Sequence, residues 1–162
     1  MPGTRSIPFF QTPHDWALTI LRLALGIMIL PHGAQKLLGS FGGSGFTGTM
    51  QGMTAGGLPW IVAFLVIIGE FFGGLGLIIG FLTRVSAASV GLIMLVAALM
   101  VHRPFGFFMN WMGQQKGEGI EFFILAVALA LVVTIRGAGA FSVDRWLSTR
   151  RQVDSTRPAY SV

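Results

Sequence analysis

The chain has 162 residues, 53% of them hydrophobic and only 10% charged, with a formal net charge of +5, a mean hydropathy of +0.74 and an isoelectric point near 11.2. That composition is far from soluble averages and predicts a membrane protein, with little sequence left over for a soluble domain. With no cysteine, the chain has no disulfide framework, thiol redox couple or Cys-ligated cluster of its own, so any redox chemistry uses another carrier.

Four apolar runs, about Trp16 to Leu38, Pro59 to Leu82, Val85 to Val101 and Ile120 to Ile135, predict an all-α integral membrane four-helix bundle, the last run being short for a span. The first run is too long for a signal-peptide core and lacks a compact small-residue cleavage site, so it reads as a retained helix. The basic residues follow topology rather than nucleic acid. Arg5 precedes the first helix, Arg84 lies between the second and third, and Arg136, Arg145, Arg150, Arg151 and Arg157 follow the fourth, against Arg103 and Lys116 on the other side. By the positive-inside rule both termini are cytoplasmic, and the basic tail meets anionic lipid heads.

Residues 1–14, with three prolines, read as an irregular cytoplasmic arm leading to Asp15 as an N-cap. Residues 15–147 hold the bundle. The first helix carries Arg22 about two turns in, where it either snorkels or pairs. Pro31 predicts a kink just before His32, Gln35 and Lys36, which share one helical edge, and His32 and Lys36 should face the bundle interior toward Glu70 and Glu121. Gly39 to Gly57 contains no charged residue and forms an outer loop. Phe46, Met50 and Met53 recur at helical spacing, so the loop is either a short interfacial helix or a glycine linker.

The second helix opens at Pro59 and Trp60 and carries Glu70 near its centre, roughly 16 Å below its outer end, with His32 about 9 Å and Arg22 about 24 Å below the end of theirs. A carboxylate at that depth is paired or protonated, which makes Glu70 the chain's strongest single functional flag. The small-xxx-small pairs Gly69/Gly73 and Gly76/Gly80 serve close helix packing, within the bundle or in a dimer. The third helix ends at His102. Beyond it HRPFGFFMNWMG brings Phe105, Phe108 and Trp111, which read either as an interfacial aromatic belt or as a flat apolar bed for a ring-bearing ligand.

Glu118 and Glu121 open the fourth helix, where negative charge suits the dipole, and Glu121 sits at the depth of Lys36 and can pair with it. Residues 141–146 read as a short interfacial helix, and the basic tail 148–162 as disordered. Together Arg22, His32, Lys36, Glu70, His102 and Glu121 form a ladder of opposite charges. It either fixes helix register or moves protons to and from a bound ligand. No tight ligand spacing supports a metal, the two histidines do not match as haem ligands, and no nucleotide motif occurs.

The order Arg22 to Gly26, PHGAQKL, Pro59 followed by IGEFFGGLGLIIGFLTR around Glu70, and GxE at 119–121 with Phe141-Ser142-Val143-Asp144 resembles the DoxX family over roughly residues 15 to 147. The resemblance implies a four-helix protein of the bacterial cytoplasmic membrane, associated with redox systems and with the membrane subunits of thiosulfate:quinone oxidoreductases. The family positions it carries over are Arg22, His32, Lys36, Glu70 and Glu121.

The expected function is a membrane redox subunit that binds a quinone-like or other small redox-active molecule in an outer-half pocket. His32, Lys36, Glu70 and Glu121 would do the proton chemistry, Arg22 would tune Glu70, and Gln35, His102, Phe105, Phe108 and Trp111 would hold the ligand. The alternative is a non-enzymatic scaffold or small-solute carrier that anchors a soluble redox partner. The expected partners are the bilayer, a soluble or membrane redox protein, and a second copy of the chain, with no nucleic acid.

Overall fold

A computed structural model describes residues 12–155, with side chains described as far as Thr149. The helices are α1 (Trp16–Leu38), α2 (Gly45–Ala55), α3 (Trp60–Ile79), α4 (Thr83–Ala97), α5 (Glu121–Arg136) and α6 (Val143–Ser155). A π-type turn Ala98–His102 and a 3-10 turn Arg103–Phe105 extend α4. α1, α3 and the run Thr83–Phe105 are each long and apolar enough to cross a membrane; α5, at 16 residues, is shorter, as its sequence predicts. Residues of each span alternate between a buried stripe and an apolar outer surface that includes Ile20, Ile27, Leu65, Leu92 and Leu131. A hydrocarbon solvent makes that surface stable.

α1, α3, α4 and α5 form a closed ring of antiparallel neighbours around a core of Leu25, Ile29, Leu77, Val90, Met94, Phe123, Ala126 and Val133. Gly33 sits so close to α3 that a Cβ there would lie 2.5 Å from the Phe71 backbone, so this position sets how near the two helices come. The glycines of α3 are spent inside the bundle. A Cβ at Gly69 or Gly73 would meet α4 side chains, and one at Gly74 would meet the α1 backbone. Their small-residue spacing therefore serves internal packing.

Asp15 caps α1 through Ala17 N and Leu18 N at 2.9 and 3.3 Å. α1 runs unbroken through Pro31 and ends on Gly39 at φ +74, a left-handed position whose N–H donates to Ala34 O. The uncharged loop does form a helix, α2. Its Met50 is buried with Ala63 and Ile67, and Met53, Leu37 and Phe64 pack around them. The tail expected to be disordered from residue 148 is helical as far as Ser155, because α6 continues past the residues that dock it. Residues 1–11 and 156–162 lie outside the described part.

Candidate functional site

The polar residues of the bundle separate into two groups at opposite ends. At the end that carries Arg84, Arg136 and α6, the basic end, Arg22 is 1% exposed. It neither snorkels nor meets a carboxylate directly. Its Nε donates to Ala138 O at 3.0 Å, one terminal nitrogen to Leu77 O and to Ile78 O at 2.7 Å, and the other to Phe141 O at 3.3 Å. These carbonyls belong to the last turn of α3 and to the turn before α6, groups that no helix satisfies. The expectation that Arg22 tunes Glu70 is therefore corrected: Glu70 lies two turns up α3, about 10 Å from Leu77.

Asp144, 4% exposed, completes this knot. Its carboxylate accepts from Leu82 N and Thr83 N, both at 2.9 Å, and so caps α4 from a distant helix. Leu82 (φ 48) and Phe141 (φ 48) are left-handed without being glycine, a conformation that costs about 1–2 kcal/mol per residue. Asp144 holds the N–H of the first and Arg22 the carbonyl of the second, so the two charges hold these turns in place. The sequence reading missed a role for Asp144. The signal was an acidic residue in the motif Phe141-Ser142-Val143-Asp144 at the start of a basic helix, with no local partner.

At the opposite, loop end, Lys36 Nζ meets Glu70 Oε2 at 2.5 Å. The side chain of Glu70 is 4% exposed and that of Lys36 is 25% exposed. Helix geometry brings them together. Helical side chains lean towards their own N-terminus, and α1 and α3 are antiparallel, so Lys36 leans down and Glu70 leans up across the Gly33 contact. Glu70 is the eleventh residue of the twenty in α3, about 15 Å from either end. Lys36 stands in the last turn of α1 and reaches Glu70 at the middle of α3. An isolated carboxylate there would be costly, and the ammonium offsets that cost only through the close contact seen here.

The remaining expected residues are placed as follows. His32, expected to face the bundle interior, is instead exposed: Gly33 beside it takes the contact with α3, and His32 makes no hydrogen bond or ion pair among the described residues. Gln35 Nε2 donates to Phe41 O at 3.3 Å and so holds the loop after α1. The expected Lys36–Glu121 pair does not form, since Glu70 has taken the lysine. Glu121 Oε1 instead accepts from Met109 N at 2.9 Å and from Trp111 Nε1 at 3.2 Å, and Glu118 accepts from Asn110 N at 2.7 Å. Nor do these carboxylates cap α5: Gly119, Ile120 and Glu121 donate their N–H groups to carbonyls of Phe108, Gly106 and Phe107. The loop itself satisfies the helix start, which frees both carboxylates to hold the loop.

His102 Nδ1 lies 2.9 Å from Glu118 O, and its ring lies against Phe123 at 4.2 Å between centroids. Phe105, Phe108 and Trp111 are 36%, 67% and 82% exposed, so they border the loop end without enclosing a pocket over Lys36 and Glu70. Among the described residues no cluster of three or more His, Asp or Glu side chains comes together to hold a metal. The arrangement that remains for chemistry is an ion pair towards the loop end, with an unengaged imidazole one turn from its lysine.

The family model described as DoxX matches residues 17–103, a stretch that contains Arg22, His32, Lys36 and Glu70. Among relatives, the Inner membrane protein YqjF of Escherichia coli (strain K12) is 32% identical over 136 residues, covering 84% of this chain and 95% of that protein. No solved structure matches the chain. The matched stretch includes both partners of the ion pair and the helices α1, α3 and α4 that position them, and so the chain belongs to the DoxX family.

Proposed function

We propose that this membrane protein is a subunit of a redox system, and that Lys36 and Glu70 bind the polar head of a quinone-like or other small redox-active molecule and exchange protons with it. The observation that supports this is the 2.5 Å ion pair between the last turn of α1 and the middle of α3, whose lysine keeps a quarter of its side-chain surface open. Reducing a quinone to a hydroquinone takes up electrons and protons together. A chain without cysteine has no thiol couple to supply electrons, so they come from a soluble or membrane partner. Lys36 donates a proton to a head-group oxygen, Glu70 holds the lysine in position, and water reaching the open part of the lysine side chain reprotonates it and supplies the second proton.

The basic residues gathered at one end support placing that end on the cytoplasmic side of a bacterial inner membrane, in line with the name of the relative from Escherichia coli. The test is to purify the protein, assay co-extracted and added quinone, and compare Glu70→Gln. Quinone binding and quinone-dependent turnover that are lost in Glu70→Gln support the reading. No binding by either form, with unchanged turnover, rejects it.

A second reading, a scaffold or small-solute carrier that anchors a soluble redox partner, is favoured by the uses of Arg22, Asp144 and Glu121, which all bind backbone or loop groups. On that reading Glu70→Gln lowers thermal stability in detergent and leaves membrane turnover unchanged.

A further inference from the structure

Leu25, Ile29, His32 and Lys36 follow one another on α1 at steps of four, three and four, so they project from one helical face. Leu25 and Ile29 are buried in the core, at 0% and 1% exposure. His32, the next on the same face, is exposed, and the Lys36 side chain is 25% exposed. A face that is core for two turns and open for the next two marks the level at which the packed interior stops.

The seam between α1 and α5 shows why. These two touch least of the four neighbouring pairs in the ring. Leu21 and Met28 of α1 still pack on the core, but α5 begins at Glu121, only two residues before Phe123, its outermost buried residue. Beyond Phe123 only Glu121 and Phe122 of α5 remain. The other flank of the ion pair is closed, because Met50, Ala63 and Ile67, with Leu37, Met53 and Phe64, fill the space between α2, α1 and α3. The pair is shut off beneath α2 and open towards α5.

We infer that the α1–α5 seam opens beside His32 as a lateral entrance, through which a membrane-dissolved amphiphile brings an oxygen-bearing ring head to His32 and the Lys36–Glu70 pair while its apolar tail stays in lipid. The identity of the ligand rests on the function proposed above; the opening itself does not. Neutral imidazole offers one donor and one acceptor, so His32 recognises a carbonyl or a hydroxyl oxygen and hands the head on to Lys36, one turn away.

The chain contains no cysteine, so single cysteines report cleanly. In membranes, His32→Cys should react with N-ethylmaleimide at least about tenfold faster than Ile29→Cys, the protection that burial in a packed core provides. Decyl-ubiquinone should slow labelling at position 32 and leave Ile27→Cys, on the exposed apolar face of α1, unaffected. Equal reactivity at 32 and 29 overturns the entrance. Fast labelling at 32 that decyl-ubiquinone does not slow overturns the ligand class, whereas the Glu70→Gln turnover assay judges the ion pair separately. Should His32→Cys fail to extract as a folded protein, Gln35→Cys, about one turn further along α1, carries the same comparison.

Discussion

The basic end and the loop end of this bundle hold similar side chains and use them in opposite ways. At the basic end a fully buried guanidinium and a buried carboxylate are spent on backbone groups: Arg22 on carbonyls of Leu77, Ile78, Ala138 and Phe141, Asp144 on the N–H groups of Leu82 and Thr83. At the loop end Lys36 and Glu70 bind each other and no backbone group, and His32 beside them binds nothing among the described residues. An ionisable residue whose hydrogen-bonding capacity is used up by turns and helix ends is part of the scaffold. One that is paired only with another side chain and still partly open is not committed to the scaffold in that way.

That contrast can be tested by substitution, beginning where the loss is largest. Arg22→Met removes the donor to four buried or partly buried carbonyls and should cost about 3 kcal/mol or more, read as thermal unfolding in detergent, with any quinone affinity per folded molecule unchanged. A loss of stability no greater than that of Glu70→Gln would erase the distinction between the two ends. Gly33→Leu drives a side chain into the Phe71 backbone, so α1 and α3 must separate. It should cost about 1–3 kcal/mol by overpacking and break the Lys36–Glu70 contact as well, which the Glu70-dependent assay detects.

Asp144→Ala removes the cap on α4 and should cost about 1–2 kcal/mol, whereas Asp144→Asn, which keeps one acceptor, should lose less. The smallest effect is expected at Glu121→Gln. The carboxylate holds an exposed loop through Met109 N and Trp111 Nε1, so stability should fall by about 1 kcal/mol or less. Trypsin cleavage at Lys116, in that loop, should speed up. A large loss of quinone turnover in Glu121→Gln would instead return Glu121 to the chemistry.

How far the candidate site was legible in the sequence can be argued residue by residue. Glu70 was flagged by its apolar surroundings alone, and Lys36 by its place in PHGAQKL. Depth along the helices pointed to Glu121, and not to Glu70, as the partner of the lysine. The competing partner, Glu121, lost because α5 starts late and the aromatic loop folds back onto its first turn, a long-range arrangement with no local signature. Arg22 was legible as a costly residue and not as a capping one, because the carbonyls it binds come from segments 55 and 116 residues away. Asp144 escaped notice for the same reason, its partners lying 61 and 62 residues back along the chain.

The sequence by itself determined that the chain spans a membrane as an all-helical bundle, where the spans lie, and that few side chains inside them ionise. Hydropathy and helical period are local properties, and a bilayer enforces them span by span. Only the tertiary structure decided which of those side chains meet. The meeting depends on how closely α1 approaches α3 at Gly33, on where α5 begins, and on which backbone groups the turns leave unsatisfied. PHGAQKL shows both limits. Its lysine found the carboxylate at the middle of α3, while its histidine was left exposed, which no pattern of residues along the chain could announce.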